Sequence, residues 1–231
     1  MTLERLAEKE REVEQRFGAL RERQQVVMQA LKSLQPNWPG HCLCIGPIVY
    51  HDIEEAVPQD RKQFAKTSYG NYFFTIFLLC YNLLVAIAGI ASENKVTDDT
   101  QYALHLGISF VHLLGIPGAF LVWHFQLYKA VQPVGPLNRY SVAFLGLFIA
   151  LLYDIFMAIG VVGYGAGGFW YAFVLRDKKQ SKVPFYMCLV CAIFWAGQAL
   201  FFLYVIFKLR SFKNIDKASA NAMGGPKRSE A

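Results

Sequence analysis

The sequence is short of charged residues, most of all in its middle. Charged side chains make up 17% of the 231 residues, against about 25% in ordinary soluble domains. Residues 70–207 hold only 12 of the 40 charged side chains, and 55% of the whole chain is hydrophobic. This composition excludes an intrinsically disordered protein and a uniformly basic nucleic-acid-binding protein.

Several sequence motifs are also missing. The first apolar run begins only at Gly70, after a highly charged N-terminal region, so no cleaved signal peptide is expected. There is no Asn-x-Ser/Thr acceptor, and none of the five cysteines falls in a predicted outer loop, so neither N-glycosylation nor a disulfide is expected. No nucleophile setting, phosphate-binding glycine loop or zinc-helix motif occurs, so the sequence predicts neither an enzyme nor a cofactor.

Four apolar runs are long enough to cross a bilayer, which takes about 20 helical residues. They cover residues 70–91, 102–123, 140–162 and 183–207. The predicted fold is therefore an all-α integral membrane protein with four transmembrane helices. A membrane domain over 70–207 is followed by a basic tail over 208–231.

The distribution of Lys and Arg near the span ends predicts the orientation. Placing the N-terminus in the cytosol puts most of these residues on the inside, and four spans then return the C-terminus to the same side. The loop from Arg176 to Lys182 is basic although it falls outside. We therefore expect both termini to be cytosolic. One outer loop departs from the usual excess of Lys and Arg on the cytosolic side.

Residues 1–35 carry a heptad pattern that predicts a cytosolic coiled-coil helix. Apolar residues recur at alternating spacings of three and four between residues 3 and 34, interrupted by Glu10 and Gln24. Residues 3–34, which carry the pattern, correspond to a helix of about 48 Å. Self-association or pairing with a cytosolic protein is one interpretation, and a single amphipathic helix lying on the membrane is the other.

Residues 36–69 form a membrane-proximal segment that begins rich in proline, with four prolines between residues 36 and 58. Proline disfavours helix and sheet interiors, so this part is predicted to be extended. His41, Cys42, Cys44 and His51 lie here, but the Cys-x-Cys spacing does not fit a zinc knuckle. No metal site is predicted.

Residues 123–131 and the tail are the predicted contacts with the cytosolic leaflet. Trp123, Leu127 and Tyr128 share one helical face and Lys129 lies toward the other, as in a short interfacial helix or in an ordinary aromatic belt. The tail adds Lys208, Arg210 and Lys213 beside the fourth span. Each basic residue near an anionic leaflet contributes about 1 kcal/mol, so anionic lipids are expected partners, while the same charges also fix topology.

Three polar residues lie inside the predicted spans. Asp154 is the one acid, and an ionised carboxylate at that depth costs at least ~2.5 kcal/mol. His105 and His112 are seven residues apart on one face of the second span. A proton or cation path through these residues is one interpretation, and a neutral Asp154 hydrogen-bonded within the bundle is the other. The glycines between residues 160 and 168 predict a flexible segment where the chain leaves the third span.

Two segments resemble characteristic stretches of the secretory carrier-associated membrane proteins. The first, just before the first span, includes Asn37, Trp38, Pro39, Asp52, Ile53 and Pro58. The second includes Gly115, Pro117 and Gly118 at the end of the second span, followed by Trp123 and residues 127–130. The order of coil, proline-rich linker, four spans and basic tail is also similar to that family.

The resemblance implies a non-enzymatic protein of vesicle transport or membrane fusion. It implies membranes of the Golgi and trans-Golgi network, endosomes, secretory vesicles and the plasma membrane. Larger members begin with Asn-Pro-Phe repeats that recruit endocytic adaptors; this sequence has none, so that partnership is not implied. The family's loop after the second span usually carries an Arg-Pro pair and a further Arg, where this sequence has Phe125, Gln126 and Gln132.

Overall fold

The computed structural model describes residues 13, 35–39, 46–91, 99–133, 137–176 and 182–222. The chain divides into two units, Met1–Asp52 and Ile53–Ala231. The helices of the second unit are α1 (Ile53–Ala56), α2 (Gln59–Ala91), α3 (Asp99–His112), α4 (Gly115–Ala119), a π-helical turn (Phe120–His124), α5 (Phe125–Val131), α6 (Arg139–Ile159), α7 (Phe169–Arg176) and α8 (Val183–Ala222).

The first unit is described at residues 13, 35–39 and 46–52. Trp38 and Val49 form an isolated antiparallel bridge, in which each backbone N–H donates to the carbonyl oxygen of the other residue. The predicted coiled coil lies outside the described residues except for Val13, which is helical and half exposed. The coiled coil stays a prediction.

Four helical stretches of the second unit are long and apolar enough to cross a membrane. They are Gln59–Ala91, Ala103–Val131, Arg139–Ile159 and Val183–Ser219, called here the first to fourth spans. The predicted all-α fold with four spans is confirmed for the described part of the chain. The helices of the first and fourth spans, α2 and α8, extend well beyond their apolar runs, because the flanking polar residues are also good helix formers.

Proline and glycine set several of the helix ends. Pro58 stands directly before α2, and Asp60 in the first turn favours a helix N-terminus. The third span ends at Gly160, whose φ of 71° is left-handed and whose N–H donates to the Phe156 carbonyl. A Cβ at Gly160 would lie 2.1 Å from the backbone nitrogen of Gly168, so only glycine fits here.

The second span is interrupted near Pro117, where the sequence predicted one continuous helix. Proline has no N–H for the carbonyl four residues earlier, and its ring crowds that carbonyl. The Leu113 carbonyl accepts instead from the Ile116 N–H at 3.0 Å, in a tighter turn that separates α3 from α4. The π-helical turn follows directly, and the Gln126 side chain donates to the Leu121 carbonyl at 3.1 Å.

The main core lies where the first, third and fourth spans meet α7. Its fully buried members include Leu78, Leu79, Met157, Leu175 and Trp195. Large apolar side chains on the other faces of the spans stay exposed, for example Phe77, Leu145 and Leu200. A soluble protein rarely leaves so much apolar surface uncovered, whereas lipid chains cover it in a membrane.

Candidate functional site

Trp123, Leu127 and Tyr128 share one helical face, but this face packs against protein. Their exposed fractions are 3%, 0% and 2%. The Trp123 ring meets the Phe202 ring of the fourth span edge-on, with the centroids 4.9 Å apart. Buried side chains cannot touch lipid, so the prediction of lipid contact is wrong for these three residues. Sequence periodicity finds an apolar face without telling whether helix or lipid covers it.

Lys129 is the exposed member of the predicted interfacial group. Its ammonium nitrogen lies 4.2 Å from the centroid of the Phe125 ring, which is a cation–π distance. Lys129 stands two residues before the end of α5 and ten before Arg139 opens the third span. It therefore lies at the end of the bundle where the second and third spans are connected.

The basic residues of the predicted tail lie on a helix. The helix α8 runs from Val183 to Ala222, so Lys208, Arg210 and Lys213 lie on this helix, beyond the apolar run that ends at residue 207. Lys208 and Arg210 are exposed, and Lys213 is half-buried, with its ammonium nitrogen 5.7 Å from the centroid of the Phe144 ring. Contact of these three residues with lipid stays a prediction.

A cluster of charged and polar side chains joins three spans at this same end. Arg61 of α2 donates from Nη1 to Asp216 Oδ2 at 3.1 Å, and its Nη2 contacts the other carboxylate oxygen. Arg139 Nη2 donates to Asp216 Oδ2 at 3.1 Å. The Tyr140 hydroxyl donates to the same oxygen at 2.6 Å. We call Arg61, Arg139, Tyr140 and Asp216 the Asp216 cluster.

The Asp216 cluster is well shielded from solvent. The Arg61, Arg139 and Asp216 side chains are 8%, 10% and 20% exposed. From the sequence, the two arginines were predicted only as signals of membrane orientation, and Asp216 was not predicted as a site residue. The available signal was one acid in a basic segment, between Lys213 and Lys217.

A second ion-paired group fixes α1 to the start of the first span. Glu54 Oε2 lies 3.3 Å from Lys62 Nζ, and Glu54 Oε1 lies 2.5 Å from Lys66 Nζ. Hydrogen bonds from the two ammonium groups lower the pKa of Glu54. This carboxylate is largely exposed, so its ion pairs are screened and add little to stability.

At the opposite end, residues 160–168 form a turn that two spans hold in place; we call it the glycine turn. Asn82 Nδ2 donates to the Gly165 carbonyl, and the Gly167 N–H donates to Asn82 Oδ1, both at 2.7 Å. Ser109 Oγ also donates to the Gly165 carbonyl, at 2.9 Å. His105 Nδ1 accepts from the Gly163 and Gly165 N–H groups at 3.2 Å. These bonds anchor the turn to the first and second spans, and the predicted flexibility of residues 160–168 stays a prediction.

The two histidines bind the glycine turn and its surroundings rather than Asp154. His112 Nε2 lies 3.0 Å from the Tyr164 carbonyl oxygen, and its Nδ1 lies 3.0 Å from the Tyr153 hydroxyl. Asp154 is 2% exposed, and its Oδ2 has no hydrogen-bond partner among the described residues. The predicted hydrogen bond that would satisfy Asp154 is thus not seen for this oxygen.

Asp154 lines a cavity of about 150 Å³ between the spans. Gly115 and Gly118, two of the motif positions, line the same cavity, and Pro117 lies between them on α4. The structure therefore brings one motif and the intramembrane acid together, although 36 residues separate Gly118 from Asp154 in the chain.

The other motif, the segment before the first span, is divided between the two units. In the first unit, Asn37 Oδ1 accepts from the His51 N–H at 2.6 Å, next to the Trp38–Val49 bridge. Pro39 follows a cis peptide bond, and Asp52 ends the unit. In the second unit, Ile53 opens α1 and is buried, and Pro58 precedes α2.

No group of three His, Cys, Asp or Glu side chains suited to a metal ion occurs in the part of the chain that the structure describes. His41, Cys42 and Cys44 lie outside that part.

Comparison with known proteins places these features in a family. The model of the SCAMP family, the secretory carrier-associated membrane proteins, matches residues 35–215, which include both motifs, the first three spans and the fourth span up to residue 215. The chain belongs to the SCAMP family.

Individual relatives support the assignment. Secretory carrier-associated membrane protein 3 of Mus musculus is 26% identical over 191 residues, which are 81% of this chain and 52% of the relative. Secretory carrier-associated membrane protein 2 of Homo sapiens is 26% identical over 164 residues, 69% of this chain and 47% of the relative. The chain thus spans about half the length of these curated relatives. No solved structure matches it.

Proposed function

We propose that this SCAMP-family protein is a non-enzymatic component of secretory and endosomal carrier membranes that acts in vesicle transport or fusion. The observation that carries the proposal is the family match over residues 35–215, which covers three spans fully and nearly all of the fourth. The relatives' names associate them with secretory carriers, and a protein of this kind acts from within the carrier membrane. The proposed compartments are the Golgi and trans-Golgi network, endosomes, secretory vesicles and the plasma membrane.

The proposed mechanism is mechanical and uses one face of the membrane. Lys129, Lys208, Arg210 and Lys213 lie at the same end of the bundle as the Asp216 cluster, and the last three lie on α8, the helix that carries Asp216. Together they would attract anionic lipids with a few kcal/mol, at about 1 kcal/mol for each charge. Residues 3–34 would gather further copies or cytosolic partners on the same side. Both termini would then be cytosolic.

Microscopy and secretion assays test the proposed cellular role. The tagged full chain should colocalise with trans-Golgi, endosomal and secretory-vesicle markers, and its depletion should slow release of a secreted reporter. Re-expression of the intact chain should restore release. A uniform endoplasmic-reticulum signal together with unchanged secretion would contradict the proposal.

Protease protection and affinity capture test the orientation and the role of the N-terminal region. Protease added to sealed carriers should remove tags at both termini. Capture of copies or cytosolic proteins should fall when residues 1–35 are deleted. If either terminal tag is protected in sealed carriers, the one-sided mechanism is wrong.

The alternative function from the sequence is a proton-linked transporter or channel centred on Asp154. The observation in its favour is the buried Asp154 oxygen that has no partner among the described residues. Asn cannot carry the charge, so Asp154→Asn should abolish flux in proteoliposomes if the alternative holds. The trafficking proposal expects no flux that depends on this carboxyl group.

A further inference from the structure

His105 is a buried titratable group that the proposed function does not use. It is 4% exposed and lies three residues, about 5 Å, from the end of its apolar run at residue 102. Its Nδ1 accepts hydrogen bonds from the Gly163 and Gly165 N–H groups of the glycine turn, both at 3.2 Å. A ring nitrogen that accepts carries no proton, so the imidazole is neutral and its proton is on Nε2.

The closed glycine turn and a proton on Nδ1 exclude each other. A doubly protonated imidazole has two donors and no acceptor, so its Nδ1 would face the Gly163 and Gly165 N–H groups donor to donor. Both N–H groups would lose their acceptor, and at Gly165 the lost hydrogen bond is buried, which costs free energy. The closed turn therefore requires a bare Nδ1, whereas the open turn leaves that nitrogen able to take up a proton. Acid must then favour the open turn.

The groups that face His105 do not cancel this effect. The Tyr171 ring of α7 stacks on the His105 ring, with the centroids 4.6 Å apart. The first span contributes Asn82, which is not titratable and binds the turn itself. The titratable neighbour on the same span is His112, which pairs with the Tyr153 hydroxyl of the third span and would repel a second positive charge. No carboxylate pairs with His105 in the part of the chain that the structure describes, so no described acid would stabilise the protonated ring.

His112 offers a matched comparison, because its hydrogen bonds survive a proton. Its Nε2 lies 3.0 Å from the Tyr164 carbonyl oxygen and therefore donates. Its Nδ1 accepts from the Tyr153 hydroxyl at 3.0 Å. After protonation Nδ1 can donate to the same oxygen, since a hydroxyl both donates and accepts. Of these two histidines, His105 is therefore the one whose contacts depend on the absence of a proton.

We infer that His105 is an acid-sensitive latch, which holds the glycine turn closed while neutral and releases residues 163–165 when a proton binds Nδ1. The setting rests on the proposed function, which puts this end of the bundle in the lumen of secretory and endosomal carriers, and endosomal acidity is a common signal for histidine switches. A freed imidazole takes up a proton at about pH 6.5, so the ratio of open to closed turn should rise about thirtyfold between about pH 7.5 and about pH 5. The latch therefore loosens the luminal end of the bundle in acidic carriers.

The test is amide hydrogen exchange of the purified full chain in nanodiscs, with isotope-labelled glycine, at about pH 7.5 and about pH 5. Each rate is divided by the intrinsic exchange rate at the same pH. Exchange of the Gly163 and Gly165 N–H groups should rise about thirtyfold in acid. The Gly167 N–H, which donates to Asn82 Oδ1, is the internal control and should change much less. Because the purified chain is measured, the result does not depend on the proposed role in trafficking, and either proposal can fail alone.

Two histidine variants separate the latch from general effects of acid. His105→Asn keeps an acceptor oxygen close to the position of Nδ1 and cannot take up a proton, so the acid response should disappear. His112→Gln removes the other histidine and should keep the response. If His105→Asn does not fold, the comparison of Gly165 with Gly167 in the unmodified chain decides the outcome. Unchanged exchange in acid, an equal rise at Gly167, a full response in His105→Asn or a response lost in His112→Gln would each overturn the proposal.

Discussion

Arg61 and Asp216 are 155 residues apart in the chain and meet through two contacts, each from one guanidinium nitrogen to one carboxylate oxygen. This geometry orients both side chains as well as pairing their charges. Arg139 and Tyr140 add two further hydrogen bonds to the same carboxylate. The start of the first span, the start of the third span and the C-terminal part of the fourth are therefore joined at a single side chain.

Loss of the Asp216 carboxylate should destabilise the bundle. Asp216→Asn would leave Arg139 without its carboxylate partner and Arg61 with only the exposed Asp60, 3.5 Å from its Nε, so we expect a cost of about 1–3 kcal/mol of the free energy of unfolding. The measurement is thermal unfolding of the purified chain in detergent or nanodiscs. Glu55→Gln is the control, because it removes the same charge from an exposed side chain of α1 that lies outside the cluster. Equal losses in the two variants would show that net charge, rather than the cluster, is responsible.

Loss of the Asn82 side chain should release the glycine turn. Asn82→Leu removes the donor to the Gly165 carbonyl and the acceptor of the Gly167 N–H, both buried, so we expect a loss of about 2 kcal/mol or more. Hydrogen exchange of residues 160–168 should increase. Thr67→Val is the control, since its hydroxyl bonds only within its own helix and is exposed. Unchanged exchange in Asn82→Leu would mean that the turn is held by other contacts.

Gly160 and Gly163 both have positive φ values, 71° and 88°, but differ in the space around them. A Cβ at Gly160 would overlap the backbone of Gly168, whereas a Cβ at Gly163 meets no atom within 4 Å. Gly163→Ala should cost about 1 kcal/mol from backbone conformation alone. Gly160→Ala should cost clearly more and lower the yield of folded protein, as measured by thermal unfolding and size-exclusion chromatography. Similar losses would show that backbone conformation is the whole effect.

Substitutions of Trp123 and Trp170 test whether the helical face of Trp123, Leu127 and Tyr128 contacts protein. Trp123→Ala should cost about 3–5 kcal/mol because it empties a buried site against Phe202. Trp170→Ala should have little effect on stability, since that side chain is 59% exposed. Thermal unfolding and liposome binding should be measured for both variants. A stable Trp123→Ala variant with reduced liposome binding would restore the lipid-contact interpretation.

Features that depend on neighbouring residues in the chain could be predicted from the sequence. Features that depend on contacts between distant residues could not. The number of spans follows from local composition, since about 20 apolar residues in a helix cross a bilayer wherever they occur. The interruption near Pro117 is also local, because proline lacks the N–H that a continuous helix needs at its position. The Asp216 cluster was not predicted, because it depends on partners 76 to 155 residues away from Asp216.

By itself the sequence determined the all-α class, the four spans and the family, because backbone hydrogen bonding in a membrane leaves few folds for such apolar runs. Only the tertiary structure decided which face of each span meets protein. Helical periodicity places Trp123, Leu127 and Tyr128 on one side, but lipid chains and helix cores are equally apolar, so nothing in the pattern separates the two. The tertiary structure likewise placed Asp154, Gly115 and Gly118 around one cavity, since that arrangement depends on the register between two spans.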